Sequence, residues 1–438
     1  MAELNIKLPA PHPGQQAVRT QMRRFNWLSA GRRWRKTTLF MAIAVEDVLA
    51  GYTDLWGAPT YDQVMIGWEE MRRAVGGVFQ FNKTEKTAKG PTGGKLLFRS
   101  LDDPENARGH TVTGRAFFDE TADIPERAWN EIIRPMLMDS GAGLMAGGTP
   151  KGRNWFWREW VAAHDRADSA AWQVPTLGAE IIDGKLYRKP HPYENPDIRF
   201  DELRQMFDTM PERSFRQEIL AEFLENAGGV FHSFSACVGG RLVSAPPHPQ
   251  TRYCMGVDLA KYNDYTVCVV MDMQQRAVVA FERYNLAEWP LQKARISALA
   301  AKWNNAAVWM DTTGVGDPIF DDLARAGLRI TGYTLTAISK RELIEKLILL
   351  MEQQHITFPD IPELLQELAA YEYERLPAGG LRMTAPQGLH DDCVIALALA
   401  CWPLAVSGTQ TALPQESIEL LRTQYTDLHS RSLLKKTF

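Results

Sequence analysis

Two hydrophobic patterns alternate through the first part of the chain. Short apolar runs, typical of buried strands, lie at residues 25–30, 55–60, 96–100, 116–118 and 144–146. Apolar residues at helical spacing follow several of these runs, at residues 38–49, after the Pro59-Thr60 turn and at 151–163. Strands and helices that alternate in this way predict a doubly wound α/β sheet.

The pattern changes after residue 250. Three strand patterns separated by short polar turns predict consecutive antiparallel pairing, at residues 252–258, 266–272 and 277–284. The remaining patterns predict a helix at 290–304, a strand at 307–311, a helix at 318–326, a strand at 329–336, helices at 340–353 and 362–373, and a closing helix after His390-Asp391-Asp392. Antiparallel strands followed by βα units resemble a ribonuclease H-like fold, which does not by itself give a function.

The stretch between the two regions predicts the domain boundaries. Residues 170–225 are less regular and predict a lid or linker subdomain, while residues 226–250 mix glycine, serine and proline as linkers do. We therefore expect a first domain at residues 1–225, a second at 251–405 and a C-terminal tail at 406–438. A short basic helix is expected at residues 17–24, after the turn at His12-Pro13.

Composition narrows the class of protein. The 438 residues are 45% hydrophobic and 23% charged, which is ordinary for a globular chain of roughly two or three domains. A net charge of −4 gives no global sign of nucleic-acid binding, so any such contact must come from local basic patches. The five cysteines lack zinc or C-x-x-C spacing, which fits reduced thiols. We expect neither a signal peptide nor a membrane span.

The segment from Ser29 to Thr38, SAGRRWRKTT, joins a strand pattern to a helix pattern and forms an imperfect phosphate-binding loop. In such loops, backbone N–H groups wrap the phosphates, a lysine reaches the β- and γ-phosphates, and a hydroxyl binds Mg²⁺. Lys36 and Thr37 match the last two roles. The residues expected to wrap the phosphates are Gly31, Arg32, Arg33 and Arg35.

Two positions depart from the G-x-x-x-x-G-K-[ST] pattern, because Ala30 and Arg35 replace its glycines. The second glycine normally lets the backbone approach phosphate without a Cβ in the way. The guanidinium of Arg35 could add a phosphate contact or weaken binding. The alternative is a basic loop that only caps a helix.

Two acids follow the apolar strand at 116–118. Asp119 would hold Mg²⁺ and Glu120 would polarise the attacking water, provided that both lie opposite Lys36. The alternative is a strand end followed by a helix-capping acid. Their occurrence together with Lys36-Thr37 on a strand-to-helix turn favours the catalytic interpretation.

Three further residues are candidates for the same site. Gln15 could bond an adenine edge, although a surface residue at a helix start fits equally well. Arg108 lies in a glycine-bounded loop and is a candidate arginine finger, or else a structural ion pair. Thr149 follows Gly147-Gly148 and could sense hydrolysis beside the γ-phosphate.

A second set of acids lies in the C-terminal half. Asp258 and Asp311 end predicted strands, and Asp391-Asp392 begins the closing helix. Carboxylates that converge in this way are tolerable only around divalent cations, and two metals could activate water for phosphodiester hydrolysis. Asp264, in the turn after Asp258, is an additional candidate ligand. Each acid alone could equally cap a helix or a turn.

The motifs together resemble the large subunit of tailed-bacteriophage terminase. The residues that carry the resemblance are GRRWRKT, APTYDQ, FRSLDDPENARG, FFDE and GGTP in the first half and the acid set in the second, over roughly residues 10–400. The resemblance implies an N-terminal P-loop NTPase domain and a C-terminal ribonuclease H-like nuclease domain. By the same resemblance, Gln15 corresponds to the adenine-binding glutamine, Arg108 to the arginine finger and Thr149 to the coupling residue.

The resemblance also implies function and partners. It implies an ATPase that drives double-stranded DNA through the portal protein into an empty capsid, and a Mg²⁺- or Mn²⁺-dependent endonuclease that cuts concatemeric DNA. Its implied partners are the portal, the small terminase subunit and further copies of the chain. The copies would form a pentameric ring on the portal, whereas the chain in solution could be a monomer, and the place of action would be the host cytoplasm. The tail at 406–438 would dock on the portal, or else is a frayed basic terminus.

Two alternatives remain open on the sequence. One is a cellular helicase or repair translocase with an attached nuclease, and dependence on a portal and capsid would separate it from a terminase. The other takes the substitution at Arg35 as decisive and treats the first half as a nucleotide-insensitive DNA-binding scaffold.

Overall fold

A computed structural model describes residues 6, 8–224, 229–232, 234–246, 249–260, 265–313, 316–375, 381–386 and 389–404. The predicted tail at 406–438 lies outside these residues. Among the described residues, the structure has no helix with the length and apolarity needed to cross a bilayer.

The first half of the chain alternates strands and helices. In chain order its elements are α1 (Pro13–Thr20), β1 (Phe25–Ala30), α2 (Lys36–Leu49), β2 (Thr53–Ala58), α3 (Tyr61–Val75), β3 (Gln80–Asn82), β4 (Thr87–Lys89), β5 (Lys95–Ser100), β6 (Arg115–Asp119), α4 (Arg134–Ser140), β7 (Gly143–Gly148), α5 (Trp155–Ala162), β8 (Ser169–Val174), β9 (Ala179–Ile182), β10 (Lys185–Arg188), α6 (Phe200–Thr209) and α7 (Glu212–Glu218). This is the α/β alternation that the hydrophobic pattern predicts.

Eight of these strands form one sheet, in the order β3-β4-β5-β2-β6-β7-β1-β8. The six strands from β5 to β8 in this order run parallel, and β3 and β4 add an antiparallel edge. The carboxyl ends of β1, β6 and β7 therefore meet at one edge of the sheet. Ligands of open parallel sheets bind at such an edge.

Both faces of this sheet are covered by aromatic side chains. On one face, Phe40 of α2 packs against Trp56 and Phe117. On the other face, Trp27 of β1 makes edge-to-face contacts with Trp129 and with Trp155 of α5. The arrangement is a three-layer α/β/α sandwich in which the central strands are buried on both sides.

The residues after β8 form a small, separate apolar cluster. The hairpin β9–β10 and the helices α6 and α7 contribute Leu186, Leu203 and Phe215 to this cluster. Ile219, directly after α7, is also buried in it. We call residues 176–222 the lid segment.

The second half of the chain builds another sheet. Its elements are β11 (Tyr253–Asp258), β12 (Thr266–Asp272), β13 (Ala277–Tyr284), α8 (Trp289–Lys302), β14 (Ala307–Asp311), α9 (Gly316–Arg325), β15 (Ile330–Tyr333), α10 (Ala337–Glu352), α11 (Pro362–Ala370), β16 (Glu372–Arg375), β17 (Leu381–Thr384) and α12 (Asp392–Cys401). Five strands pair in the order β13-β12-β11-β14-β15. The pairs β11–β12 and β12–β13 are antiparallel, as the sequence pattern predicts, and the pairs β11–β14 and β14–β15 are parallel.

Helix α12 packs directly on β11 because Gly256 has no side chain. A Cβ at Gly256 would lie 2.0 Å from the carbonyl oxygen of Ala396 and 2.4 Å from the amide nitrogen of Ala400. All ten residues of α12 are buried. This close approach brings the start of α12 beside the end of β11, where Asp258 lies.

The first helix begins earlier than the sequence pattern predicts. Helix α1 starts at Pro13 instead of residue 17, because the ring nitrogen of His12 accepts the Gln15 N–H and the Gln15 side chain accepts the His12 N–H. Proline at the first helical position is preorganised for this start. The helix predicted at 362–373 also differs, since it ends at Ala370 and the chain continues as β16.

Asp54 in β2 makes the stability of this domain depend on pH. Its side chain is fully buried, and burial followed by the nearby charge of Asp47 raises its pKa to about 8. Because the folded-state pKa lies above the unfolded value of about 4, the folded protein binds the proton more tightly. We therefore expect the contribution of Asp54 to stability to be fully present below pH 4 and to be lost as the pH rises toward 8, by at most about 1.4 kcal/mol per pH unit.

Asp54→Asn stays neutral throughout this range and should flatten the fall in stability. Urea unfolding at pH 5 and pH 8 measures the effect, with the exposed Asp139→Asn as the matched control. An equal pH slope in wild type and Asp54→Asn would show that Asp54 ionises normally.

Candidate functional site

The predicted phosphate-binding loop has two arginines in a backbone conformation that glycine adopts most readily. Arg33 and Arg35 both have left-handed backbone angles, with φ of 65° and 69°. A non-glycine residue pays roughly 1 kcal/mol for this conformation. The Arg35 guanidinium points to Asp197 of the lid segment, at 2.8 Å. Arg35 therefore does not prevent the loop from turning into α2.

Contacts from the lid segment hold the loop in this conformation. The Arg32 N–H donates to the Glu218 carbonyl oxygen at 2.7 Å, and the Arg32 guanidinium donates to the Glu218 carboxylate at 2.5 Å. The hydroxyl of Thr176 donates to the Arg32 carbonyl at 2.5 Å, and the Asn195 amide donates to the Arg33 carbonyl at 3.0 Å. These bonds compensate for the strained backbone.

Gly31 allows this contact between loop and lid segment. A Cβ at Gly31 would lie 2.4 Å from the carbonyl oxygen of Ile219 and 2.6 Å from the hydroxyl of Thr176. Position 31 must therefore be glycine for the lid segment to approach.

Helix α1 supports the loop from another side. The Gln15 amide donates to the Arg35 carbonyl at 2.8 Å, and a ring nitrogen of His12 lies 3.0 Å from the Trp34 carbonyl. Gln15 is only 2% exposed. In this structure its amide orders the loop, and the expected contact with adenine stays a prediction.

Lys36 lies between the two acids that follow β6. Its ammonium bonds Asp119 and also Glu120, the latter at 3.0 Å, and the Thr37 hydroxyl donates to Asp119 at 3.1 Å. Burial would lower the pKa of Lys36, but the charges of Asp119 and Glu120 raise it overall. Likewise burial would raise the pKa of Glu120, and the charge of Lys36 lowers it instead. The side chains of these four residues therefore meet at one point of the sheet edge, with Lys36 positively charged and Glu120 negatively charged.

Glu120 is held at the turn after β6 in a left-handed conformation, with φ of 55°. The Thr149 hydroxyl lies 3.5 Å from its second carboxylate oxygen. The structure thus brings Thr149 to Glu120, and its expected role as a sensor of hydrolysis stays a prediction. Lys151, paired with Asp123 at 2.5 Å, adds a second positive charge near Glu120.

Arg108 follows a short 3₁₀ turn and is largely exposed. Its guanidinium pairs with Glu105 at 3.1 Å. It also lines a surface cleft together with His110, Glu131 and Asp139. Neither this ion pair nor the cleft involves the Lys36 site. A finger acting from this position on a neighbouring copy stays a prediction.

The second candidate site lies at the ends of β11 and β14. Asp258 and Asp311 end these two strands, which are neighbours and parallel, with Val257 paired to Met310. Asp391 and Asp392 begin α12, which packs on β11. Asp264, the additional ligand expected from the sequence, lies outside the described residues.

Three acids of this cluster are held by hydrogen bonds. Asp311 accepts from the N–H and hydroxyl of Thr313 at 2.8 and 2.6 Å. The Lys340 ammonium donates to Asp391 at 2.7 Å, and the Tyr265 N–H donates to Asp392 at 2.9 Å. Neither Lys340 nor Tyr265 stands in a recognisable motif.

Asp258 experiences the charge of the whole cluster. Burial raises its pKa well above the usual value, and the charges of Asp392, Asp311 and Asp391 raise it further, with Lys340 opposing them. Several carboxylate oxygens close together are the ligands that Mg²⁺ and Mn²⁺ prefer. Within the described residues, no three acidic, histidine or cysteine side chains are already arranged as a complete metal site. The donor chemistry fits a divalent cation that draws these acids together.

Comparisons with known proteins support both halves. Residues 255–401 match a family model for the terminase RNaseH-like domain. The chain is 33% identical over 331 residues to the terminase large subunit of Thermus virus P23-45, covering 69% of this chain and 64% of that relative. The terminase large subunit of Thermus phage G20c matches with the same identity and coverage. The match thus spans somewhat less than two thirds of these relatives.

A solved structure covers more of the chain. The large terminase from a thermophilic bacteriophage superimposes with a TM-score of 0.54 at 13% identity, over 89% of this chain and 98% of that one. This similarity concerns the fold. Together with the family match, it confirms the predicted fold class, a P-loop NTPase domain followed by a ribonuclease H-like domain.

Proposed function

We propose, from the premise that this chain is a relative of the phage terminase large subunits, that it is an ATP-driven DNA-packaging motor with a nuclease. It would move double-stranded DNA through a portal into a procapsid and cut concatemeric DNA. The single observation that carries the proposal is the arrangement of Lys36 and Thr37 against Asp119 and Glu120, at the carboxyl edge of the parallel sheet.

At this first site, the chain's own groups suit phosphoryl transfer to water. The backbone of Gly31 to Arg35 would wrap the phosphates, and Lys36 would bind the β- and γ-phosphates. Glu120 would orient the attacking water and accept its proton, with Thr149 positioned to respond. Thr37 and Asp119 would hold Mg²⁺, which when bound neutralises phosphate charge. The left-handed conformation of Arg35 is evidence against a nucleotide-insensitive scaffold.

At the second site, the acids suit metal-dependent hydrolysis of a phosphodiester. Asp258, Asp311, Asp391 and Asp392 would hold Mg²⁺ or Mn²⁺, with Asp264 as a further ligand. Bound metals supply an activated water and stabilise the leaving oxygen. Lys340 would keep Asp391 oriented until the acids are drawn together.

The finer parts of the proposal concern partners. An arginine finger acting in trans needs a neighbouring copy, so Arg108 supports a ring, which we propose to be a pentamer on the portal. The other proposed partners are double-stranded DNA, the portal protein and a small terminase subunit. The place of action would be the host cytoplasm.

Incubation of the purified protein with supercoiled plasmid tests the nuclease, with Mg²⁺, Mn²⁺ or EDTA. We expect nicking with either metal and none with EDTA. Phosphate release from ATP, with and without DNA and portal, tests the motor in the same preparation. Absence of cleavage with both metals would refute the nuclease, and absence of turnover on assembled portals would refute the motor.

A further inference from the structure

Helix α12 carries two acids of the proposed nuclease site but does not cap itself. Asp391 occupies the N-cap position, where an aspartate normally accepts an N–H from the first turn. In this part of the described chain, its side chain makes no such cap bond. Its carboxylate is directed to Lys340 instead.

A carboxylate from another helix supplies the missing cap. Glu367 of α11 accepts the N–H of Cys393 at 2.8 Å and the N–H of Val394 at 3.3 Å with a single oxygen. The Glu367 side chain is buried, with the residue 8% exposed. Two amide groups that an N-cap side chain would otherwise satisfy are thus bonded from outside the helix.

This replacement has a consequence for the acids. Because Glu367 satisfies the first turn, Asp391 is not drawn inward to cap its own helix. Asp392, in that first turn, is held by the Tyr265 N–H. Both carboxylates therefore stay on the side of Asp258.

We propose that Glu367 is a positioning residue of the nuclease site, which caps α12 in place of Asp391 and so keeps the Asp391 carboxylate available to a divalent cation. The inference rests on the proposed nuclease function. Without the Glu367 carboxylate, Asp391 rotates to accept the Val394 N–H and is lost as a ligand. Outer-shell partners of metal ligands typically contribute about 10- to 100-fold in metal affinity.

Binding of Mn²⁺ to the full chain, measured by electron paramagnetic resonance without DNA and without nucleotide, tests the proposal, and the part of the binding that Asp258→Asn removes is assigned to the acid cluster. Glu367→Ala should weaken binding by about 10- to 100-fold. Glu367→Gln retains an acceptor oxygen and should bind within about threefold of wild type, since the cap bond persists. Glu363→Ala, one turn earlier on α11 and exposed, is the matched control and should bind as wild type does.

Cleavage kinetics add a second readout. At saturating Mn²⁺ the maximal rate of Glu367→Ala should recover toward wild type, because the defect lies in metal affinity. A role limited to stability would lower the melting temperature of Glu367→Ala and leave Mn²⁺ affinity unchanged, which would overturn the proposal. If Glu367→Ala fails to fold, Glu367→Asp replaces it in both measurements and should show the same loss of Mn²⁺ affinity, since its shorter carboxylate cannot reach both amides.

The failures of the two proposals can be distinguished. A wild-type protein that binds no Mn²⁺ refutes the nuclease, and this inference with it. Wild-type binding that is lost in Asp258→Asn but equal in Glu367→Ala and Glu363→Ala refutes the role of Glu367 alone.

Discussion

Glu120→Gln is expected to stop ATP hydrolysis while leaving ATP binding nearly intact. The glutamine has the same shape and keeps an oxygen near the Thr149 hydroxyl, which lies 3.5 Å from the glutamate in the wild type. It cannot accept a proton from the attacking water. Loss of a general base typically lowers the rate by about 10²- to 10⁴-fold. Lys36 keeps its bond to Asp119, so the groups proposed to bind phosphate remain in place.

Phosphate release on assembled portals measures turnover, and a fluorescent ATP analogue measures binding. Glu126→Gln is the matched control, because Glu126 is a nearby exposed glutamate that pairs at the surface, with Arg158 at 2.7 Å. It should turn over ATP as the wild type does. A Glu120→Gln protein that keeps more than a small fraction of wild-type turnover would assign the base to another residue.

The strand-end acids could be predicted because the sequence signals them locally. An apolar run that ends in Asp119-Glu120, and two others that end in Asp258 and Asp311, place carboxylates at strand ends without any tertiary information. The parallel pairing of β11 and β14 then brings Asp258 and Asp311 together. These positions follow from where each apolar run ends, which a single sequence shows directly.

The conformation of Arg35 could not be predicted in the same way. On sequence alone an arginine at a glycine position argues against a functional loop. The loop adopts the left-handed conformation because Asp197, Asn195 and Gln15 bond it from segments far away in the chain. Only the tertiary structure shows these compensating contacts.

The residues that orient the second acid cluster were missed for the same reason. Lys340 and Glu367 lie in ordinary amphipathic helices, where a charged residue normally signals a solvated face. Each reaches the start of α12 from a distant part of the chain, at Asp391 and Cys393 respectively. Their function depends on how α10 and α11 pack on α12, and this packing cannot be read from the hydrophobic pattern of a single sequence.

Asp258→Asn is expected to abolish metal-dependent cleavage and also to stabilise the metal-free protein. Asp258 lies at the centre of the acid cluster, where Asp392, Asp311 and Asp391 all repel its charge. Removal of a direct ligand should lower metal affinity by more than the roughly 10- to 100-fold typical of an outer-shell partner. Because burial and these charges raise the folded-state pKa of Asp258 above its unfolded value, each pKa unit of the shift costs about 1.4 kcal/mol in the free energy of unfolding, and asparagine removes that cost. The substitution should therefore lower activity and raise stability, which is the trade-off expected of a functional residue.

Plasmid nicking and thermal unfolding in EDTA measure the two effects on the same preparation. Asp272→Asn is the matched control, because Asp272 also ends a strand of this sheet but accepts the N–H groups of Gln274 and Gln275, at 2.8 and 2.9 Å, in a turn. It should cut DNA normally and gain no stability. If Asp258→Asn lost cleavage but was also less stable in EDTA, Asp258 would serve the fold more than a metal. If it was more stable in EDTA but still cut DNA, the metal would be held by the remaining acids.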